Sequence, residues 1–313
     1  MTMMPTPSRP LKIGTRGSAL ALAQAHETRR RLMAAHDLPA EAFDIIVIKT
    51  TGDRITDRPL KDIGGKGLFT REIEDALGAG QIDIAVHSMK DMPTVQPDGL
   101  IIDCLLPRED VRDAFVSPHH GSIADLPQGA VIGSSSLRRR AQLAYRRPDL
   151  KLVEFRGNVQ TRLQKLEDGV AVATFLAMAG LARLDLLHVA RGPIDPQDML
   201  PAVAQGAIGV ERCEGNADIA QLLRPIHDIE TGQRIIAERA FLARLDGSCQ
   251  TPIAGLAEIY DGHLILQGEI LRPDGSEAVR GRREGDISDG VELGVDLAEE
   301  LLSRAGPGFL AGQ

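Results

Sequence analysis

Four short apolar runs in the first half of the chain each end in a loop of small, hydroxyl or charged residues. Leu11-Lys12-Ile13 runs into Gly14-Thr15-Arg16-Gly17-Ser18, and Ile82 to Val86 into His87-Ser88-Met89-Lys90-Asp91. Ala130-Val131-Ile132 runs into Gly133-Ser134-Ser135-Ser136, and Leu152 to Phe155 into Arg156-Gly157-Asn158. Helical sequence separates them, with Ala19 to Ala35 rich in Ala, Leu and Arg and Leu68 to Leu77 amphipathic. Phe43 to Ile48 is continuously apolar, as a strand buried on both faces requires, and Val170 to Phe175 is a further strand. Strands alternating with helices at this spacing fold as a mostly parallel, doubly wound α/β sheet. Ligands of such sheets bind beyond the carboxyl ends of the strands, where all four loops fall.

The last quarter changes character. Asp228 to Leu245 reads as a long helix broken by Asp246-Gly247-Ser248-Cys249. Leu256 to Tyr260 and Leu264 to Leu271 flank Asp261-Gly262, a strong hairpin signal, and Asp274-Gly275 marks a further turn before a closing helix from Val291 to Leu302. This is a small α+β domain. A chain of 313 residues exceeds one usual core, so two or three domains are expected.

Charge is distributed against the trend of the whole. The formal net charge is -8, yet Gly133 to Arg162 holds seven arginines and one lysine against Asp149 and Glu154 alone. Guanidinium groups bind carboxylate or phosphate in planar, bidentate fashion. Most charge runs only decorate a solvated helix face. Here two strand-to-helix junctions each deliver arginine: Ser136 precedes Arg138, Arg139 and Arg140, and Asn158, a good N-cap, precedes Arg162. That favours a site for a small, multiply anionic ligand. The absence of Trp, only two Tyr and a pI near 5.5 argue against a nucleic-acid platform.

Lys90 and Asp91 stand side by side just past a buried strand. They form either a surface ion pair of little energetic weight or, at a cleft floor, a carboxylate that accepts from ligand N–H groups and stabilises developing positive charge. The loop Thr50 to Gly67 is long, polar and glycine-rich; it serves as a plain connector or as a mobile lid, and lacks the ending of a nucleotide-binding loop. Cys104 sits in an apolar strand and Cys213 among charges, whereas Cys249 lies in a Gly/Ser turn suited to an exposed thiolate or attachment point. The cysteines show no close spacing, and the eight histidines, His119-His120 among them, no metal motif, so no metal is assigned. Neither a signal peptide nor a membrane span is read in Met1 to Lys12, and a reducing cytoplasm is the expected compartment.

Stretches from end to end resemble the porphobilinogen deaminase (hydroxymethylbilane synthase) family. They are Ile13 to Ala21, Gly64 to Phe69, Asp83 to Asp91, Arg108 to Phe115, Gly133 to Arg139, Arg156 to Arg162, Leu176 to Leu181, Gln205 to Glu211, Ala237 to Ala240 and the cysteine loop. So many ordered matches over about three hundred residues are far more specific than any single motif.

The resemblance implies two periplasmic-binding-protein-like doubly wound lobes and a small α+β third domain. Lobe 1 takes residues 1–106 and 207–224, lobe 2 residues 107–206, and the third domain, 225–313, carries the cofactor cysteine. It implies a transferase of porphyrin and heme biosynthesis that condenses four porphobilinogen molecules, with loss of ammonia, into a linear tetrapyrrole. A dipyrromethane cofactor, joined to Cys249 by a thioether, primes the chain. Asp91 matches the catalytic carboxylate. Lys90, Ser136, Arg138 and Arg139 match cofactor-binding positions, and Arg16, Ser18, Arg156, Arg162, Arg183 and Lys66, the last in the mobile loop, match substrate-binding ones. A cytoplasmic monomer without nucleic-acid or membrane partners is expected. Ala204 and Ser248 stand where the family usually has Gly, and Asp62 where some members have Lys, which puts that loop contact in doubt. A two-lobed anion sensor would explain the arginines but not Cys249; a cysteine hydrolase would explain the cysteine but not the arginines.

Overall fold

A computed structural model describes residues 4–54, 70–248 and 251–310. Two compact units divide the chain, Met1–Arg108 with Ala207–Gly232, and Glu109–Gly206 with Gln233–Gln313. The second unit therefore holds both the sequence assigned to lobe 2 and most of that assigned to the third domain.

In the first unit a five-stranded sheet runs in the order Phe43–Val47, Leu11–Thr15, Ile84–Ser88, Ile208–Cys213, Leu100–Leu105. The first three strands are parallel, and Ile208–Cys213 is antiparallel to both its neighbours. Strand Ile84–Ser88 is buried on both faces, which its apolar run anticipates. Ile84 and Val86 pack with Leu11, Ile13, Ala25 and Leu32 of the helix Ala19–His36 side. Ala85 packs with Ile73, Ala76 and Leu77 of the helix Arg71–Gly78. Ser18 caps Ala19–His36, accepting from the Ala21 N–H at 3.2 Å, so the loop after the first strand ends in a built helix N-terminus.

The second unit repeats this arrangement. Its sheet runs Lys151–Val153, Val131–Gly133, Ala173–Ala177, Asp113–Val116, Gly192–Pro193, again with three parallel strands and an antiparallel fourth. Four of the five strands in each sheet thus run the same way, as a mostly parallel sheet requires, although the antiparallel strand makes two of the four pairings antiparallel. In each unit the fourth strand comes from outside the run of parallel strands, Ile208–Cys213 after a long excursion of the chain and Asp113–Val116 as the first strand of its unit, and runs against its neighbour, a feature invisible in an apolar run. Ser136 caps Leu137–Arg146 and Asn158 caps Val159–Glu167, as the sequence suggests. At Gly133 a Cβ would lie 2.3 Å from the Phe155 ring, so only glycine lets that aromatic cover the strand end.

The α+β portion is a three-stranded antiparallel meander, Ile253–Tyr260, His263–Leu271 and Ala278–Asp286, packed under the helix Gly290–Ala305. Asp261 and Gly262 both have positive φ, 48° and 81°, the backbone of a two-residue hairpin turn. The strand Ala278–Asp286 was not among the expected elements. It pairs only with His263–Leu271, and alternate residues face solvent, so its arginines and glutamates hide the strand pattern. Ala204 has φ 61°, which explains why glycine is usual there; alanine adopts it at a cost of about 1 kcal/mol.

Candidate active site

The crevice of the first sheet lies where the chain goes on from the neighbouring strands Leu11–Thr15 and Ile84–Ser88 to opposite sides of the sheet, the switch point at which such sheets bind ligands. A pocket opens there, lined by Arg16, Ser18, Gln24, Thr70, His87 and Asp91 among others. Sequence reading placed Arg16 and Ser18 in one loop and Asp91 in another, and the fold brings them together. Asp91 ends a short turn, Met89–Asp91, that continues the strand; its carboxylate is exposed. Lys90 is half-buried beside it.

Two buried polar pairs stiffen the pocket, and neither was recognised from sequence. Gln24, 4% exposed, donates from Nε2 to Ser88 Oγ at 2.8 Å and accepts back from it at 3.0 Å. On the other face of the same strand, His87 Nε2 lies 3.0 Å from Glu211 Oε2, with the imidazole 6% and the carboxylate 0% exposed. Burial and the charge of Glu211 push the nearby Glu74 carboxyl up. The only sequence signal was the polar His87 inside an apolar strand, since its partner is 124 residues away.

In the second unit, Arg138 and Arg139 meet a buried acid. Both are buried, at 4% and 6% exposed, and both point at Asp113, which is fully buried. Arg138 donates from Nη2 to Asp113 Oδ2 at 2.7 Å and from Nη1 to the Leu200 carbonyl at 2.7 Å. Arg139 donates to Asp113 Oδ1 at 2.6 Å and to the Phe175 carbonyl at 2.7 Å, and Gln205 Nε2 adds a third bond to Oδ1 at 2.9 Å. Burial alone would raise the Asp113 carboxyl, but the two guanidinium charges outweigh it and hold it far below the usual carboxylate range.

The remaining arginines of the cluster sort further. Arg147 forms a pair with Asp149 at 2.8 Å, and Arg140 one with Glu154 at 3.5 Å. Ser136 spends its hydroxyl on the helix cap, accepting from the Arg139 N–H at 3.4 Å. Arg156 and Arg162 are half-buried around the loop before Val159–Glu167, where Arg162 Nε donates to the Gly157 carbonyl at 2.9 Å. Arg183 donates to the Gly206 carbonyl at 3.1 Å. Cys249, Lys66 and Asp62 lie outside the described residues, as does most of the proposed lid. Cys104 is buried, and burial pushes its thiol up to about 12, in keeping with an inert core cysteine. Among the described residues no three His, Cys, Asp or Glu side chains are placed to hold a metal, and no helix is long and apolar enough to cross a membrane.

The described residues of the first unit fit an anionic pyrrole ligand: the Arg16 guanidinium and the exposed Asp91 carboxylate line one pocket. Comparison with known proteins agrees. A family model described as "Porphobilinogen deaminase, dipyromethane cofactor binding domain" matches residues 11–221, and one described as "Porphobilinogen deaminase, C-terminal domain" matches residues 233–303. The porphobilinogen deaminase of Paracoccus denitrificans is 73% identical over 309 residues, covering 99% of each chain. The chloroplastic porphobilinogen deaminase of Pisum sativum is 56% identical, covering 96% of this chain and 83% of its own. Among solved structures, the methionine-binding protein MetQ matches with a TM-score of 0.44 and 11% identity, covering 72% of this chain and 93% of its own. A periplasmic substrate-binding protein of an ABC transporter from Coxiella burnetii matches with a TM-score of 0.41 and 14% identity, covering 70% and 92%. The chain belongs to the porphobilinogen deaminase family.

Proposed function

We propose that this chain performs the family's transferase reaction at the pocket of Asp91, joining four porphobilinogen molecules into a linear tetrapyrrole with loss of ammonia. The observation that carries the proposal is the meeting of Arg16, Ser18 and Asp91 in one pocket at the sheet's switch point. Porphobilinogen brings two carboxylates and a pyrrole N–H. The Arg16 guanidinium suits a carboxylate, and the Asp91 carboxylate suits the N–H. When ammonia leaves, positive charge spreads onto the ring, and an anion fixed beside the ring nitrogen stabilises that state more than the neutral ring before it.

Arg156, Arg162 and Arg183 are the further guanidiniums assigned to substrate acid groups, and Lys66 accompanies them. Lys90 and Ser136 are assigned to the dipyrromethane cofactor, with Cys249 as its point of attachment. When bound, that group supplies an electron-rich pyrrole carbon as nucleophile. Arg138 and Arg139 serve it chiefly by keeping the Ser134–Ser136 junction in place, since their own guanidiniums are held on Asp113. The low pI and scarcity of aromatics support a chain that acts without nucleic acid, and the wide spacing of the three cysteines supports a reducing cytoplasm.

The decisive measurement is ammonia release and tetrapyrrole formation by Asp91→Ala. We expect a native circular-dichroism spectrum and a rate lower by about a hundredfold or more, the scale of losing a positioned charge-stabilising group. A rate within twofold of the parent would remove Asp91 from this role.

A further inference from the structure

The pocket wall contains a hydrogen-bonding group that the assignments above leave without a task. His87 lines the pocket, and its Nε2 is tied to Glu211 at 3.0 Å. Glu211 is fully buried on the antiparallel strand Ile208–Cys213, whose Gly209 pairs with His87 in register. An ionised carboxylate only accepts hydrogen bonds, so the ring hydrogen of a neutral His87 resides on Nε2. The other nitrogen, Nδ1, is then an acceptor. Its surroundings lean negative: Glu211 behind the ring, Glu74 on the helix packed against the same face, and Asp91 in the pocket, against Arg16.

An acceptor in a pocket wall backed by buried carboxylates suits a ligand N–H donor that carries positive charge. Porphobilinogen has one such group, the aminomethyl nitrogen, which is an ammonium at neutral pH. We infer that His87, with its tautomer fixed by Glu211, is the specificity-determining residue that accepts a hydrogen bond from the substrate's ammonium group. The substrate is thereby oriented by both its signs: carboxylates toward guanidinium, ammonium toward the His87–Glu211 pair. The inference rests on the reading of the Asp91 pocket as the substrate site. No bond is made or broken by His87.

Glu211→Gln tests it. A glutamine amide can donate to Nε2, which moves the ring hydrogen to Nδ1 and presents the ammonium with a donor instead of an acceptor. In the holoenzyme, KM for porphobilinogen should rise about tenfold or more, the scale of one charge-assisted hydrogen bond. The inhibition constant of an analogue with methyl in place of aminomethyl should move less than about twofold on the same scale. Parallel movement of both constants, or movement of neither, overturns the inference. Where the variant fails to fold, the parent holoenzyme labelled with 15N-histidine answers instead. The Nδ1 resonance of His87 should shift on adding one equivalent of porphobilinogen and stay put with the methyl analogue; a resonance indifferent to both, or responding equally to both, refutes it. A failure here with Asp91→Ala still inactive removes only His87, whereas an active Asp91→Ala removes the reading beneath it.

Discussion

Replacing Asp113 by alanine removes the single anion between two buried guanidiniums. Its carboxylate is 0% exposed and accepts from Arg138, Arg139 and Gln205. Leaving one buried charge uncompensated costs about 3–5 kcal/mol, and here two cations lose their common partner. For a cooperative unit of this size each kcal/mol lowers Tm by about 2–4 °C, so the expected drop is about 6–20 °C. Circular-dichroism melts at pH 7 read this directly. The pH dependence adds a second, sign-determined check. A carboxyl held below its unfolded value contributes stability that is complete above about pH 4 and is lost as pH falls toward the folded value. The parent should therefore lose part of its advantage over Asp113→Ala only below about pH 4, and none between pH 5 and 8. Adding Arg139→Met to Asp113→Ala should restore part of the loss, because it removes one orphaned cation. A melt of Asp113→Ala within about 2 °C of the parent would refute this account of the cluster.

Two other tests follow from local chemistry. Gly275→Ala places a Cβ 2.5 Å from Ala144 Cβ and 2.8 Å from the Ala141 carbonyl, at a φ of 76°, so the turn must lift from the helix Leu137–Arg146. We expect a loss of about 1–3 kcal/mol in urea unfolding, and an unchanged midpoint would show that the turn does not dock there. Intact-protein mass spectrometry should find the added mass of a dipyrrole on the parent and none on Cys249→Ser; equal masses beyond the substitution itself would leave the cofactor without its assigned anchor.

Much of the fold was legible because its signals are local. Ser18, Ser136 and Asn158 announce helix starts by their own side chains, and Asp261-Gly262 announces a hairpin by its backbone. The arginine-rich segment was legible as a position, but the acid that meets two of its members was not. Counting acids from Gly133 to Arg162 misses Asp113, which lies 25 residues before Arg138 and neutralises the pair most suggestive of ligand binding. His87, Gln24, Ser88 and Glu211 escaped for the same reason: each bond spans 64 or 124 residues, and only the sheet order brings the partners together.

The two sheets also divide the chemistry between them. Each carries one fully buried acid on its antiparallel fourth strand, Glu211 in one and Asp113 in the other. Glu211 meets an imidazole, a group that can change protonation state and lines a pocket. Asp113 meets two guanidiniums, which cannot change state and are here consumed in holding a helix start. The ends of the corresponding third strands differ likewise: His87, Lys90 and Asp91 follow from Ile84–Ser88, whereas Met178, Ala179 and Gly180 follow from Ala173–Ala177. At the ends of these third strands the ionisable groups thus stand in the first unit, and the arginines of the second stand on its helix-bearing loops. A duplicated scaffold can separate these duties because the buried acid of the fourth strand accepts either partner without altering the sheet around it.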